Sequence, residues 1–256
     1  MNLRIMLPIS LLATLLVPPL SAEDDVATQL EQIKKSYDKA YQEFLSDYRA
    51  ERDATKKREI VSTRLPAISK EYLDKYQELA DKHAKTPAAV EALAMVCQLG
   101  GRAPGGRALI EKAKERLLAD HLNEKGFAKV VSLWSRDDEM LAKIAKESTS
   151  RDVQGLALYF QMSKAKGRQL TEKNIAEVKP LMKRITDEFG DVRMVYTSGR
   201  DRGTLAELID NELFAFENLR IGKVAPEITG EDLDGVNFKL SDYRGKVVVI
   251  DFWGDW

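Results

Sequence analysis

The hydrophobic positions between residues 26 and 48 recur every three or four residues, which is the spacing of one face of an α-helix. They are Val26, Leu30, Ile33, Tyr37, Tyr41, Phe44 and Tyr48, and we interpret this largely aromatic stripe as core. A second helix is predicted to begin near Pro66, because proline is tolerated in a first helical turn. The charged stretch 49–58 lacks apolar periodicity, so we interpret it as a solvated helix face or a connection.

Helix start and stop signals divide the next part of the chain into short helices. Thr86 and Pro87 begin one of them, and Gly100 ends it. The same criteria predict helices at residues 107–120, 124–134, 136–147 (capped by Ser135), 152–166, 172–189 (capped by Thr171 and bent at Pro180) and 204–216. We find no strand signal in this part of the chain.

Short helices joined by short polar turns predict a mainly α fold in which residues 23–220 form an array of helical hairpins. Residues 152–168 resemble a single tetratricopeptide helix, although no regular repeat period is present. The glycine-rich residues 100–106 lack the Lys and Ser or Thr of a phosphate loop, and we interpret them as a flexible connector.

The composition narrows the chemistry that the chain can carry. Its 256 residues include 40 Lys and Arg against 41 Asp and Glu, which leaves no global basic field, so we set nucleic-acid partners aside. One cysteine, Cys97, and two histidines, His83 and His121, exclude a disulfide framework, a Cys-x-x-Cys pair and a zinc site of the usual spacing. We predict that Cys97 is a buried hydrophobe, with an intermolecular thiol as the alternative, and that both histidines are structural.

The first 22 residues have the layout of a secretory signal peptide, in which Arg4 precedes an apolar run over residues 5–17. Cleavage is expected after Ala22. The apolar run is too short to span a bilayer comfortably, which favours a cleaved signal peptide. However, Leu20, the third residue before the expected cleavage site, is bulkier than the small residue usual at that position, so an uncleaved anchor remains the alternative. We therefore expect an extracytoplasmic protein, periplasmic or secreted, that contacts a membrane only if this segment is retained.

After residue 220 the pattern changes from helical to strand-like. Asp234-Gly235 predicts a hairpin with a two-residue loop, and residues 241–245 form a turn signal. Residues 246–253 are a β-branched and aromatic run without alternation, which predicts a strand buried on both faces.

This segment resembles the opening of an extracytoplasmic thioredoxin-like thiol-disulfide oxidoreductase, of the TlpA-type and alkyl hydroperoxide reductase/thiol-specific antioxidant class. The resemblance covers about 35 residues and rests on four motifs, which are Ala225-Pro226, Asp234-Gly235, the run at residues 240–246 and the run at residues 251–256. It implies that residues 221–256 are the first fragment of a thioredoxin-like α/β domain, with its hairpin and first central strand only.

The same resemblance implies roles for two residues near the end of this segment. Trp256 matches the tryptophan that directly precedes the catalytic Cys-x-x-Cys of the family, and Asp251 matches a buried carboxylate that moves a proton during disulfide exchange. In this chain, which lacks those cysteines, we interpret Asp251 as a partly exposed acid at a strand end. Without the remaining strands and helices, residues 222–256 are predicted to be poorly packed or prone to aggregation.

Three explanations remain open for a sequence that ends at Trp256, just before the redox motif. The next residue could be selenocysteine, whose UGA codon was taken for a stop. A nonsense mutation, a frameshift or a broken assembly would truncate the gene equally well. The third explanation is a helical binding protein with a vestigial tail.

The function expected from the resemblance is that of an exported thiol-disulfide oxidoreductase that uses no cofactor and no metal, and residues 1–256 alone are expected to be inactive. Such enzymes act through a mixed-disulfide intermediate. The expected partners are exported proteins with disulfides or thiols, or a membrane redox donor. The alternative is a non-enzymatic helical scaffold that binds protein or peptide partners.

Overall fold

The structure is a computed structural model that describes residues 22–253. The predicted signal segment, apart from Ala22, and the predicted site residue Trp256 lie outside the described residues. Within the described range the chain is mainly helical, with two small two-stranded sheets, which confirms the predicted mainly α class.

The elements follow one another in a simple order along the chain. The α-helices are α1 (Ala22–Ala50), α2 (Ala54–Lys82), α3 (Pro87–Gly100), α4 (Gly106–His121), α5 (Asp138–Glu147), α6 (Arg151–Lys166), α7 (Ile175–Phe189) and α8 (Leu205–Asn218). The strands are β1 (Arg193–Val195), β2 (Asp201–Thr204), β3 (Thr229–Glu231) and β4 (Asn237–Lys239). Two 3₁₀-helices span Lys125–Trp134 and Leu240–Tyr243.

The chain groups into two compact units that are divided in sequence between His121 and Leu122. The division falls inside the range 23–220 that we predict to be one helical array. Residues 221–253 belong to the second unit. The predicted boundary at residue 220 stays a prediction.

The first unit is a succession of packed helices, α1 against α2, α2 against α3 and α3 against α4. Helix α1 contributes Val26, Leu30 and Phe44 to the core, whereas Tyr48, the last position of the stripe that we interpret as core, is exposed. The most deeply buried core side chains include Leu73, Tyr76, Leu93, Leu99 and Leu117, which come from the other three helices. Two polar contacts join α1 to its neighbours. The Ser36 hydroxyl lies 2.7 Å from the Tyr72 hydroxyl on α2, and Lys34 Nζ lies 2.6 Å from the Glu91 carboxylate on α3.

Helix α2 begins twelve residues before the predicted start at Pro66. Asp53 is the reason, because its carboxylate accepts hydrogen bonds from the amides of Thr55 and Lys56, both at 2.9 Å, and so caps the helix. Pro66 therefore lies inside α2, where its missing N–H removes one backbone hydrogen bond, to the carbonyl of the exposed residue Ser62. The charged stretch 49–58 covers the end of α1, the three-residue connection 51–53 and the start of α2.

The connection between α3 and α4 is a short turn whose two ends, Gly100 and Gly106, lie in close contact, while the flexibility predicted for it stays a prediction. The amide of Gly106 donates to the Ala103 carbonyl at 3.0 Å. A Cβ atom on Gly106 would lie 2.2 Å from the carbonyl oxygen of Gly100. Only glycine allows the two helix ends to approach this closely.

The second unit starts with the 3₁₀-helix Lys125–Trp134, at a position where we predict an ordinary helix. Asp137 caps α5 instead of the predicted Ser135, since its carboxylate accepts from the amide of Met140 at 3.0 Å. Helix α7 begins at Ile175, because Thr171 and Asn174 bond to each other's backbone amides and close a separate turn before it.

Strands β1 and β2 form an antiparallel hairpin in a region where we predict no strand. The guanidinium of Arg193 contacts the Asp201 carboxylate across the hairpin at 2.6 Å. Strands of three and four residues are too short to show a period of two, which explains the missed prediction. Thr204 and Glu207 form a reciprocal capping box that starts α8, as the predicted helix start at residue 204 requires.

Candidate functional site

The chain leaves α8 and enters the hairpin of β3 and β4, whose register pairs Thr229 with Lys239, Gly230 with Phe238 and Glu231 with Asn237. The hairpin prediction is confirmed. Its loop is longer than predicted, because the Gly235 amide donates to the Asp232 carbonyl and the Asp232 amide donates to the Val236 carbonyl, both at 3.0 Å. Gly235 has φ of +76°, the left-handed conformation that ends a three-residue hairpin loop.

Asp232 organises this loop through its side chain. One carboxylate oxygen accepts hydrogen bonds from the amides of Asp234 and Val236, both at 2.9 Å. An aspartate that bonds to the amide two residues further on is a common turn-former. The turn is therefore closed by local chemistry alone.

A second turn follows β4 and is held by two carboxylates. The Leu240 amide donates to the Ile228 carbonyl at 2.9 Å, and the Ser241 amide donates to Glu227 Oε1 at 2.9 Å. Hydrogen bonds from the Ser241 side chain and amide hold the pKa of Glu227 below its usual value. The Asp242 carboxylate accepts from the Lys239 amide at 2.9 Å and stabilises the 3₁₀-helix Leu240–Tyr243.

No local signal in the sequence identifies Glu227, since its partner Ser241 lies fourteen residues further along the chain. The two residues border a shallow depression of about 190 Å³, which is lined by Val224, Ala225, Glu227, Leu240, Ser241 and Arg244. The depression is lined by one carboxylate, one guanidinium and the Ser241 hydroxyl, and none of its lining residues carries a thiol.

Residues 247–253 do not form the predicted strand buried on both faces. Among the described residues they belong to no strand ladder, and Val247 and Val249 are 97% and 89% exposed. Phe252 and Trp253 are also largely exposed, and none of residues 221–253 is buried. The predicted poor packing of this segment is confirmed for its described residues, while its aggregation stays a prediction.

Asp251 is an exposed residue in this extended stretch. Its position agrees with a solvent-facing acid, and its proposed proton-transfer role stays a prediction. Trp256, the other predicted site residue, lies outside the described residues.

Comparison with known proteins yields short but consistent matches. The chain is 45% identical over 40 residues to the thiol-disulfide oxidoreductase ResA of Bacillus thuringiensis subsp. konkukian (strain 97-27), covering 16% of this chain and 23% of that protein. It is 47% and 50% identical over 36 residues to proteins of the same name from Geobacillus thermodenitrificans (strain NG80-2) and Geobacillus kaustophilus (strain HTA426), covering 14% of this chain and 21% of each. No family model and no solved structure matches the chain.

These matches support a thioredoxin-like oxidoreductase family. The matched length is close to that of the segment 221–256, which carries the resemblance in sequence. The chain spans less than a quarter of the length of the curated relatives it matches.

Thioredoxin-like oxidoreductases exchange disulfides through a thiolate, and Cys97 is the one thiol in the sequence. It lies on α3, where it is half-buried and not fully buried as predicted, and its Sγ donates to the Ile110 carbonyl at 3.9 Å. Burial raises the pKa of the Cys97 thiol to about 12, which keeps it protonated at neutral pH. Cys97 is therefore a poor nucleophile.

The two histidines occupy the ends of helices. His83 is the C-cap of α2, and His121 is buried at the end of α4. Within residues 22–253 no cluster of three or more His, Cys, Asp or Glu side chains is placed to hold a metal ion. In the same range, no helix combines the length and the apolar character that crossing a membrane requires.

Proposed function

We propose that this chain is an exported thiol-disulfide oxidoreductase of the TlpA-type, thioredoxin-like class, and that residues 221–256 begin its redox domain. The match of 36 to 40 residues to thiol-disulfide oxidoreductases carries the proposal. The β3–β4 hairpin and the exposed extended stretch after it support it, because a central strand needs neighbours on both sides to satisfy its backbone.

The proposed reaction is thiol–disulfide exchange with exported proteins. A thiolate or selenolate attacks one sulfur of a disulfide, a new bond forms between them, and the other sulfur leaves as a thiolate. A second thiol of the enzyme then attacks the mixed disulfide, which releases the reduced client and leaves an oxidised pair on the enzyme. Running the steps in reverse oxidises a client dithiol.

Residues 1–256 supply one thiol for this exchange, and it is protonated. We therefore propose that these residues alone do not catalyse it, and that the nucleophile is encoded after the Trp256 codon. Insulin reduction with dithiothreitol tests the first point, with the Cys97→Ala variant as the matched control. Turnover by residues 1–256 that is lost in Cys97→Ala would overturn the proposal.

The nucleotides after the Trp256 codon test the second point. An in-frame UGA followed by codons for Gly-Pro-Cys-like residues and a thioredoxin remainder supports selenocysteine as the nucleophile. A UAA or UAG codon, or an unrelated reading frame, rules selenocysteine out. The read-through product is then expected to reduce insulin at a rate that residues 1–256 do not reach.

Export is tested on the protein itself. The mature protein from the extracytoplasmic fraction is expected to begin at Glu23, by N-terminal sequencing or intact mass. A protein that starts at Met1 and sediments with membranes would support the uncleaved anchor. A full-length protein in the cytoplasm would contradict export.

A helical scaffold that binds protein or peptide partners is the second candidate. One observation favours it, namely that every buried side chain among the described residues lies before residue 221. As far as the structure describes the chain, the packed core therefore lies in the part before residue 221. A read-through product that folds but does not reduce insulin would favour the scaffold over the oxidoreductase.

A further inference from the structure

The tip of the α1–α2 hairpin, which we define as residues 48–58, extends beyond the packed part of the first unit. No residue from Leu45 to Ile68 is buried, and the buried positions of α2 begin at Ser69. Asp47 and Arg64 form an ion pair just below the tip and connect the two helices. The tip therefore consists of the end of α1, the connection and the start of α2, and the rest of the first unit buries none of its residues.

The tip concentrates positive charge in a chain that is slightly acidic. It contains five cations, Arg49, Arg52, Lys56, Lys57 and Arg58, against two carboxylates, a formal charge of +3, whereas the whole chain carries −1. Glu59, the next residue of α2, lowers this local charge to +2 when it is included. A cluster of four to eight cations is typical of segments that associate with anionic lipid surfaces.

The two carboxylates of the tip are directed at the backbone. Glu51 Oε1 accepts from the amides of Arg52 and Asp53 at 2.7 and 2.8 Å, and Asp53 Oδ1 accepts from the first amides of α2. Within the described residues, no ion pair joins any of the five cations to a carboxylate. Their charges are therefore available to an external anion.

Helix stability does not explain this arrangement. Lys56, Lys57 and Arg58 occupy the first turns of α2, where the helix dipole is positive and where further cations are disfavoured. The first turn of α2 contains no acidic residue. The cluster instead adds to the positive potential of the helix end, which favours binding of anions.

Apolar groups lie next to the cations. Tyr48 is 37% exposed, with Lys57 Nζ 5.0 Å from its ring centre, and Val61 on α2 is 38% exposed. Tyrosine is enriched at membrane–water interfaces, where its ring lies at the level of the headgroups. A nucleic-acid duplex would favour cations spread along a groove, whereas these are gathered at the narrow end of two helices.

We propose that the hairpin tip binds the surface of a membrane that contains anionic phospholipids. The cations contact the headgroup phosphates, and Tyr48 and Val61 enter the interfacial layer. This attachment needs no membrane-spanning helix and is independent of the proposed redox activity.

Vesicle flotation of the full chain tests the proposal, with phosphatidylcholine vesicles that contain or lack 30% phosphatidylglycerol. The triple variant Lys56→Gln, Lys57→Gln, Arg58→Gln is compared with the triple variant Lys143→Gln, Lys146→Gln, Lys179→Gln, which removes the same charge from exposed positions of the second unit. Both variants keep residues 1–22, so any contribution of that segment is equal in the two proteins.

At 50 mM salt, the tip variant is expected to lose at least about tenfold in partitioning, since each cation near an anionic surface contributes roughly fivefold. The control variant should stay within about twofold of the original chain. Binding should fall at 500 mM salt because of screening. Equal losses in the two variants, equal binding to both kinds of vesicle, no binding to either, or binding to duplex DNA in place of vesicles would each overturn the proposal.

Discussion

The helical unit of residues 22–121 and the segment 221–253 use their apolar residues in opposite ways. Val90 and Leu93 on α3 are 0% exposed, whereas Val247 and Val249 are 97% and 89% exposed. A helix satisfies its backbone within itself, so neighbouring helices can bury each other's apolar faces once each has formed. A strand satisfies its backbone only against other strands, so an apolar run without them remains open to solvent.

The difference in packing between the two regions should have its largest effect on the reactivity of a cysteine thiol. Because burial raises the pKa of Cys97 from 9.0 to about 12, its thiolate at pH 8 is expected to be about a thousandfold rarer than in the unfolded chain. Alkylation by iodoacetamide should therefore be slowed by about that factor in the folded protein. A cysteine placed at Val249 in a Cys97→Ala background should react as fast as unfolded protein, and a Cys97 rate within tenfold of the unfolded rate would contradict the comparison.

Truncating one apolar side chain in each region gives the next largest contrast. Leu93→Ala removes a fully buried side chain and is expected to lower the free energy of unfolding of its unit by about 2–5 kcal/mol. Val249→Ala removes a side chain in contact with solvent and should change it by less than about 0.5 kcal/mol. Urea titration followed by circular dichroism measures both, and a comparable loss in the two variants would show that residues 247–253 are packed after all.

The close approach of α3 and α4 predicts that a substitution at their contact also lowers the free energy of unfolding of the helical unit. Gly106→Ala places a methyl group 2.2 Å from the Gly100 carbonyl oxygen and is expected to lower the free energy of unfolding by about 1–3 kcal/mol. The neighbouring substitution Gly101→Ala meets nothing within 4 Å and should be neutral or slightly stabilising. If thermal melting gave the same midpoint for both variants, the connection would be flexible, as its sequence predicts.

The β3–β4 hairpin depends on its turn because it has no core. Gly235→Ala forces a side chain into the left-handed conformation, which costs about 1–2 kcal/mol, and should accelerate hydrogen exchange of the Asp232 amide by roughly fivefold or more. Asp234→Ala, whose side chain makes no hydrogen bond that holds the loop, is the control and should leave this exchange rate nearly unchanged. Helical circular dichroism should be the same in both, and a loss of helix in Gly235→Ala would mean that the hairpin supports the helices.

Helix α8 precedes the segment 221–253 in the chain. A substitution at its N-cap is expected to have the smallest effect on the free energy of unfolding. Thr204→Ala removes a hydroxyl that accepts from the Glu207 amide and should destabilise the second unit by about 1 kcal/mol. Ser150→Ala at the N-cap of α6, where the side chain makes no capping bond, should cost a few tenths of a kcal/mol. Equal shifts in the denaturation midpoint would show that the capping box at α8 contributes nothing of its own.

Particular elements show where prediction succeeded and why it failed elsewhere. Helices α3, α4 and α6 were predicted to within a residue or two, because their apolar spacing and their Pro and Gly signals are local. The early start of α2 was missed, because the Asp53 cap outweighs the signal from Pro66. At the candidate site, the hairpin was predicted from Asp234-Gly235, whereas the Glu227–Ser241 contact was not, since it joins residues far apart in sequence.

Periodicity and motifs within a few residues were enough to predict the mainly α class, the change of character after residue 220 and the resemblance to thioredoxin-like oxidoreductases. The raised pKa of the Cys97 thiol and the exposure of the stretch 247–253 follow only from the tertiary structure. Both depend on which atoms surround a residue, and those atoms belong to distant parts of the chain. Desolvation and strand pairing both require several parts of the chain to come together. An apolar segment with the sequence of a buried strand therefore forms such a strand only when other strands lie beside it.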